Sequence, residues 1–274
     1  MKVSVFGLGI IGAIWARHYE SAGLLAAAWN RSPKPEAPRW QPDIVAAARA
    51  GELLQIVVAD PPAVAGLLEA LQPALGPGKI VVQSSTIDPA SSERFRGLVE
   101  ARGAQYVEAP FTGSKPAAEA RKTVFYLGGA VAAVSLVEPV LAQVSEFRFR
   151  IGTNAQASAL KLAMNLQIAG LMEALCEGLT FARRAGISDD KFFEVIACNV
   201  ANSGLVKLKE PKVRAGDFAP QFSVKHMCKD LRLAVETAGP DALPQTTLVR
   251  DRLREAEHRG WADEDFSALL KLLA

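Results

Sequence analysis

The apolar positions in the first half of the chain fall into short unbroken runs, separated by longer stretches of helical spacing. Lys2 to Phe6 (KVSVF), Leu24 to Trp29, Leu53 to Ala59 (LLQIVVA) and Lys79 to Gln83 (KIVVQ) each read as a strand, and Gln105 to Glu108, Val124 to Leu127 and Phe147 to Ile151 add three more. Between them, Ile10 to Ala22, Ala63 to Leu75, Ala90 to Arg102 and Val131 to Val144 repeat their apolar residues at the period of one helix face. Strands alternating with helices predict βαβ units and a mostly parallel sheet. Runs that are apolar throughout, rather than at every second position, predict strands covered on both faces. Past Gly152 the pattern changes and no further strand is expected. Ala155 to Ala185 has helical character and no proline, long enough to run through a domain core. Shorter helices follow at Asp189 to Cys198, Leu205 to Arg214, Val224 to Ala238, Leu243 to Arg259 and Asp265 to Leu273. The expected fold class is therefore α/β: a doubly wound Rossmann-type sheet over residues 1–153 and an all-α domain over 154–274. The long helix begins at the junction and is expected to fix the two against each other. The segment from Pro33 to Pro42, with its four prolines, reads as a solvated loop, and no internal repeat is present.

Composition narrows the class further. The chain has 274 residues, 50% of them apolar, which is ample for a core and excludes disorder as the main state. Its 31 basic and 29 acidic residues leave a net charge of +2, without the basic stripe of a nucleic-acid protein. Cys176, Cys198 and Cys228 are far apart, and so are His18, His226 and His258. There is no CxxC pair, and His226 and Cys228 have no further ligand nearby, so neither a disulfide framework nor a metal site is expected. The apolar run after Met1-Lys2 is broken by Gly7, Gly9 and Gly12 and lacks a clean cleavage site, unlike a signal peptide. No uninterrupted apolar run reaches the roughly eighteen residues of a membrane span. The expectation is a cytoplasmic protein with no membrane and no nucleic-acid partner.

Gly7-Leu8-Gly9-Ile10-Ile11-Gly12 fits GxGxxG, directly after a predicted strand and opening a predicted helix. In that context the first glycine allows a tight turn, the second lets the backbone approach a pyrophosphate, and the third lets helix and strand pack closely. Amides at the helix N-terminus then bind phosphate oxygens. A site for NAD carries an acid at the end of the second strand, for the ribose 2′-hydroxyl. This chain has Trp29-Asn30-Arg31-Ser32 there. Arg31 offers a planar, permanently charged fork to a 2′-phosphate, with Asn30 and Ser32 adding hydrogen bonds, so NADP(H) is the expected cofactor.

Lys161 and Asn165 stand four apart in the long apolar helix and share one face. A charge among apolar neighbours is costly unless it faces a polar site, and an inter-domain cleft would supply one. Partial burial also brings a lysine closer to acid–base use near neutrality. Asp60-Pro61, Ser84-Ser85-Thr86-Ile87-Asp88-Pro89 and Glu108-Ala109-Pro110-Phe111-Thr112-Gly113-Ser114-Lys115-Pro116-Ala117 follow predicted strand ends, where open α/β sheets place their ligands. Lys229-Asp230-Leu231 lies in a late helix.

In this order, these segments resemble the β-hydroxyacid dehydrogenase family over nearly the whole chain. EAPFTGSKPA and FSVKHMCKDLRLA look most like its glyoxylate and succinic semialdehyde reductase branch. The resemblance implies an NADPH-dependent reductase of small aldehyde or keto acids. It makes Lys161 the catalytic acid and Asn165 the residue that orients the substrate. Thr112, Gly113 and Ser114 would bind the substrate carboxylate, and Thr86 would lie beside the nicotinamide ribose. Lys229 would close the cleft over the cofactor, and Asp230 would hold that helix end. Thr112 stands where the family usually has serine, and its extra methyl allows a different or smaller substrate. Two other enzymes are rivals. One is an NAD-linked 3-hydroxyacid dehydrogenase, opposed by the missing acid after the second strand; the other is an imine reductase, opposed by Lys161. A non-enzymatic nucleotide-binding protein on this fold is a third, opposed by intact Lys161, Asn165 and Lys229. The apolar helical half and the resemblance together imply a homodimer or homotetramer.

Overall fold

The computed structural model describes residues 1–273. It begins with β1 (Val3–Phe6), α1 (Ile10–Ser21), β2 (Leu25–Trp29), α2 (Ile44–Ala50), β3 (Leu53–Ile56), α3 (Pro61–Leu71), β4 (Ile80–Gln83), α4 (Pro89–Glu100) and β5 (Gln105–Glu108). It continues with β6 (Phe111–Thr112), α5 (Lys115–Glu119), β7 (Thr123–Gly128), α6 (Val131–Leu141) and β8 (Ser145–Gly152). Helices follow: α7 (Asn154–Arg184), α8 (Asp189–Ala197), α9 (Gly204–Ala215), α10 (Val224–Ala238) and α11 (Pro244–His258), with a final 3-10 segment at Phe266–Leu272.

The first five strands are parallel and run β2-β1-β3-β4-β5 across the sheet. Chain order reverses between β1 and β3, the switch point at which doubly wound sheets bind their ligands. Every residue of β1, β3 and β4 is buried, as strands covered on both faces require. One face packs on α1 and α6 through Trp15, Tyr19, Val134 and Val137; the other packs Phe95, Val64 and Leu68 from α3 and α4. β7 is antiparallel to β5 and β6 and parallel to β8. β8 departs from expectation: Phe147 and Phe149 are exposed and stacked on each other, because an edge strand leaves one face outside the core.

The helix starts have a chemical cause. Asp43, Asp60 and Asp88 accept hydrogen bonds from first-turn amides of α2, α3 and α4, and α3 and α4 also begin with proline. A cap of this kind is worth about 1 kcal/mol. Two of these residues lie in segments that the sequence singled out for chemistry; Asp60 and Asp88 serve the helices instead. The proline-rich segment is less free than expected, since the Ala28 amide donates to the Arg39 carbonyl and Trp40 packs on the core.

Residues Met1–Lys161 and Leu162–Ala274 form two compact units. The sequence places its boundary where α7 starts. The units part later, within that helix, because its first two turns pack on the sheet: Asn154 Nδ2 donates to the Gly128 carbonyl at 3.0 Å and Ala157 is fully buried. By length and composition α7 is long and apolar enough to cross a membrane, although polar residues such as Lys161 and Asn165 interrupt its apolar run. Ala169, Met172, Cys176 and Leu179 nevertheless fill the core of the helical unit with Phe193, Met227, Leu231 and Leu253. That core also holds a buried ion pair, Lys209 Nζ to Asp265 at 2.8 Å.

Candidate active site

The turn from β1 to α1 has the geometry its glycines call for. Gly7 has φ +99°, and a Cβ on it would stand 2.2 Å from the Val57 carbonyl oxygen. A Cβ on Gly12 would stand 1.9 Å from the Gly7 carbonyl oxygen, so only glycine lets α1 lie this close to the strand end. At Gly9 nothing lies within 4 Å of that position. No side chain caps α1, so its first-turn amides have no capping acceptor. Gly9 and Ile10 are exposed, Ile11 is half-buried and Leu8 is buried. Open space beside a bare helix N-terminus fits a pyrophosphate.

At the end of β2 the three residues separate in role. Asn30 Oδ1 accepts from the Leu8 amide at 2.9 Å, and its Nδ2 donates to the Ser32 carbonyl at 2.9 Å. The sequence reading gives Asn30 to the phosphate; in the structure its Oδ1 ties the end of β2 to the glycine turn and its Nδ2 holds the backbone at Ser32. Arg31 and Ser32 are exposed. Arg31 is in no ion pair among the described residues.

Thr86 is half-buried in the β4–α4 loop. Its neighbour Ser85 accepts from the Val58 amide at 2.8 Å, which links that loop to the one after β3. Thr112, Gly113 and Ser114 are half-buried between β6 and α5. Gly113 has φ +123°, a region that disfavours any side chain, and the Ser114 hydroxyl does not cap α5. Burial pushes the Tyr126 hydroxyl up, and the Thr112 side chain partly offsets this. Lys161 is 7% exposed, near the end of the α7 segment that packs on the sheet.

In the helical unit, Asn165 is 2% exposed, one turn beyond Lys161. Its Nδ2 donates to Asp230 Oδ2 at 2.5 Å, and Lys229 Nζ stands 2.8 Å from Asp230 Oδ1. Asp230 is itself buried, so one carboxylate positions both an amide and an ammonium. Among the described residues no group of three His, Cys, Asp or Glu side chains is placed to hold a metal ion.

Two family profiles cover the chain end to end. Residues 2–154 match the NAD binding domain of 6-phosphogluconate dehydrogenase, and residues 155–273 match the NAD-binding domain of NADP-dependent 3-hydroxyisobutyrate dehydrogenase. The chain belongs to the 3-hydroxyisobutyrate dehydrogenase-like family. Its members are NAD(P)-dependent enzymes that act on hydroxyl or carbonyl groups, and this chain is an oxidoreductase of that kind. It is 27% identical to glyoxylate/succinic semialdehyde reductase 2, chloroplastic, of Arabidopsis thaliana, over all of this chain and 79% of the relative. Reductase 1 of the same plant is 25% identical over 99% of this chain and 98% of its own. Among solved structures, a 3-hydroxyisobutyrate dehydrogenase from Salmonella typhimurium superposes with a TM-score of 0.88 at 26% identity, covering 99% of both chains. Sequence reasoning singled out the glycine turn and the α7 pair. It missed the tie through Asn30, the Thr112–Tyr126 contact and the buried residues behind the strand ends. Each of these depends on strands that are neighbours in space and not in sequence.

Proposed function

We propose that the protein is an NADP(H)-dependent reductase of small aldehyde and keto acids, glyoxylate and succinic semialdehyde among them, forming hydroxy acids. The observation that carries this reading is the buried lysine–asparagine pair one turn apart on α7, since a buried lysine needs a polar task. The exposed Arg31 at the end of β2, with no acid beside it, supports the phosphorylated cofactor. The printed activities of the Arabidopsis relatives support the substrate class.

The nicotinamide, when bound, supplies the hydride that no side chain can supply. Lys161 gives a proton to the carbonyl oxygen and takes it back in the reverse direction. Thr112, Gly113 and Ser114 hold the substrate carboxylate by charge-assisted hydrogen bonds, which a ligand with so little apolar surface needs to fix its pose. Asn165 orients the substrate and Asp230 holds its amide. Thr86 and Lys229 are assigned to the cofactor. The exposed Leu171, Phe181, Val195 and Leu248 support a homodimer or homotetramer in which a second copy covers them.

Replacing Lys161 by alanine tests the assignment. Turnover falls by about three orders of magnitude, the middle of the range of general-acid effects, while NADPH affinity stays near that of the parent. Retained turnover removes the role. A second reading, oxidation of a 3-hydroxy acid, is favoured by the likeness to the Salmonella dehydrogenase. A substrate panel run in both directions, with each nicotinamide cofactor, separates the two.

A further inference from the structure

Behind the C-terminal ends of β3, β4 and β5 lies a buried polar chain that the proposed chemistry does not use. Glu108, the last residue of β5, is fully buried. Its Oε1 accepts from Gln83 Nε2 at 2.8 Å, and its Oε2 accepts from the Ser92 hydroxyl at 2.6 Å and the Tyr106 hydroxyl at 2.8 Å. Gln83 passes the connection on. Its Nε2 also donates to the Ser85 carbonyl at 2.8 Å, and its Oε1 accepts from the Ser85 amide at 2.6 Å. Ser85 Oγ then accepts from the Val58 amide. The chain thus runs from β5 through β4 to the loop after β3. It ends beside Thr86 on one side and, through Ala109 and Pro110, leads to Thr112 on the other. The Ala109 amide donates to the Gln83 carbonyl at 2.7 Å.

We propose that Glu108 is a positioning residue for the loops that carry Thr86 and Thr112–Ser114: its buried carboxyl sets the spacing of three strand ends, and its charge state acts on what those loops bind. The proposal rests on the NADP(H) reading for the ligand. The groups that face the carboxyl are neutral. They are Gln83 from β4, Ser92 from α4, Tyr106 from β5 itself and Ser158 from α7. Nearby charges are Glu93, which acts on Tyr106 and is paired with Arg96, and Lys161, one turn past Ser158. Burial pushes Glu108 up to about 7, with the hydrogen bonds from Ser92, Tyr106 and Gln83 holding it lower than burial alone would. Toward Glu108 Gln83 only donates, since its oxygen is held by the Ser85 amide. A proton on Glu108 therefore sits on Oε2, and the Ser92 or Tyr106 hydroxyl turns to accept it. The neutral state keeps the Gln83–Ser85–Val58 chain. Ionisation buries a full negative charge beside the loops that take an anionic cofactor.

The test measures the dissociation constant of NADPH by fluorescence on the full chain, in steps from about pH 5.5 to about pH 8.5, bracketing the titration. Thermal melting is measured on the same samples. The wild type weakens by about threefold across an inflection near neutrality, the size of a charge–charge effect over a distance. Glu108→Gln, a permanently neutral replacement of the same shape, binds as the wild type does at low pH and shows no inflection. Tyr106→Phe removes a donor that favours the ionised carboxyl, so its inflection moves to higher pH. An inflection that persists in Glu108→Gln, or one that Tyr106→Phe leaves in place, overturns the proposal. If the wild type binds no NADPH at any pH, the cofactor reading fails, and melting then decides alone. A gap between wild type and Glu108→Gln that widens from low to high pH supports the role, and parallel curves refute it.

Discussion

Two glycines of one turn give opposite predictions. Alanine at position 12 places its Cβ 1.9 Å from the Gly7 carbonyl oxygen and 2.8 Å from Val57 Cγ1. Backbone cannot swing aside, so α1 must retreat by about 1.5 Å, carrying the buried Ile14, Trp15 and Tyr19 with it. Overpacking of this severity costs about 3 kcal/mol, which lowers the melting temperature of the sheet unit by roughly 8 °C. Alanine at position 9 meets nothing within 4 Å, and the backbone there (φ −69°, ψ −164°) suits any residue. Its cost is the loss of a glycine N-cap, under about 1 kcal/mol. The new methyl fills the space assigned to the pyrophosphate. Losing one charge-assisted hydrogen bond there weakens NADPH by about tenfold or more. Differential scanning fluorimetry and a fluorescence titration of NADPH on both variants separate the effects. Gly9→Ala should melt like the wild type and bind poorly; Gly12→Ala should melt early. Wild-type affinity in Gly9→Ala would falsify the placement of the phosphates, and wild-type melting in Gly12→Ala would refute the close-packing argument.

Other outcomes follow from the same physics. Arg31→Glu should raise the Michaelis constant for NADPH far more than that for NADH, read from initial rates with each cofactor; equal changes remove the phosphate assignment. The raised Glu108 carboxyl makes the folded state hold a proton that the unfolded chain releases, so stability falls as pH rises from about 4.5 to about 7. The loss is about 3 kcal/mol, absent in Glu108→Gln, and denaturant melts at both ends of that window measure it. Lys209→Met leaves Asp265 buried without its cation and should cost about 3 kcal/mol, the low end for a broken buried pair. The amides of Gln221, Phe222 and Ser267 still donate to that carboxylate. Adding Asp265→Asn to Lys209→Met should recover part of the loss in urea unfolding, and a fully additive double variant contradicts the pairing.

Strands were legible where burial on both faces made them mostly apolar, as in β1 and β4. β3 reads too long because Val57 and Val58 continue its apolar run, although their backbone already belongs to the turn against Gly7. Helix α2 hid behind the prolines: its alanines carry little amphipathic signal, and only Asp43 before them marks the start. β6 and α5 are two and five residues long, shorter than the window any periodicity needs. In the candidate site, the glycine spacing and the α7 pair were visible in the sequence. Glu108 did not, since a carboxylate closing an apolar strand reads as a surface residue until Gln83, Ser92 and Tyr106 are known to surround it.

The sheet unit closes inside α7, and this bears on how the chain is made. A nascent polypeptide that has left the ribosome only as far as residue 153 has all eight strands, yet the Gly128 carbonyl still waits for Asn154 and the core for the buried Ala157. Translation of roughly ten further residues supplies both, within about two seconds at ordinary elongation rates. The nucleotide half can therefore mature while the helical half is still being translated, but a fragment cut at the start of the long helix should be the aggregation-prone one.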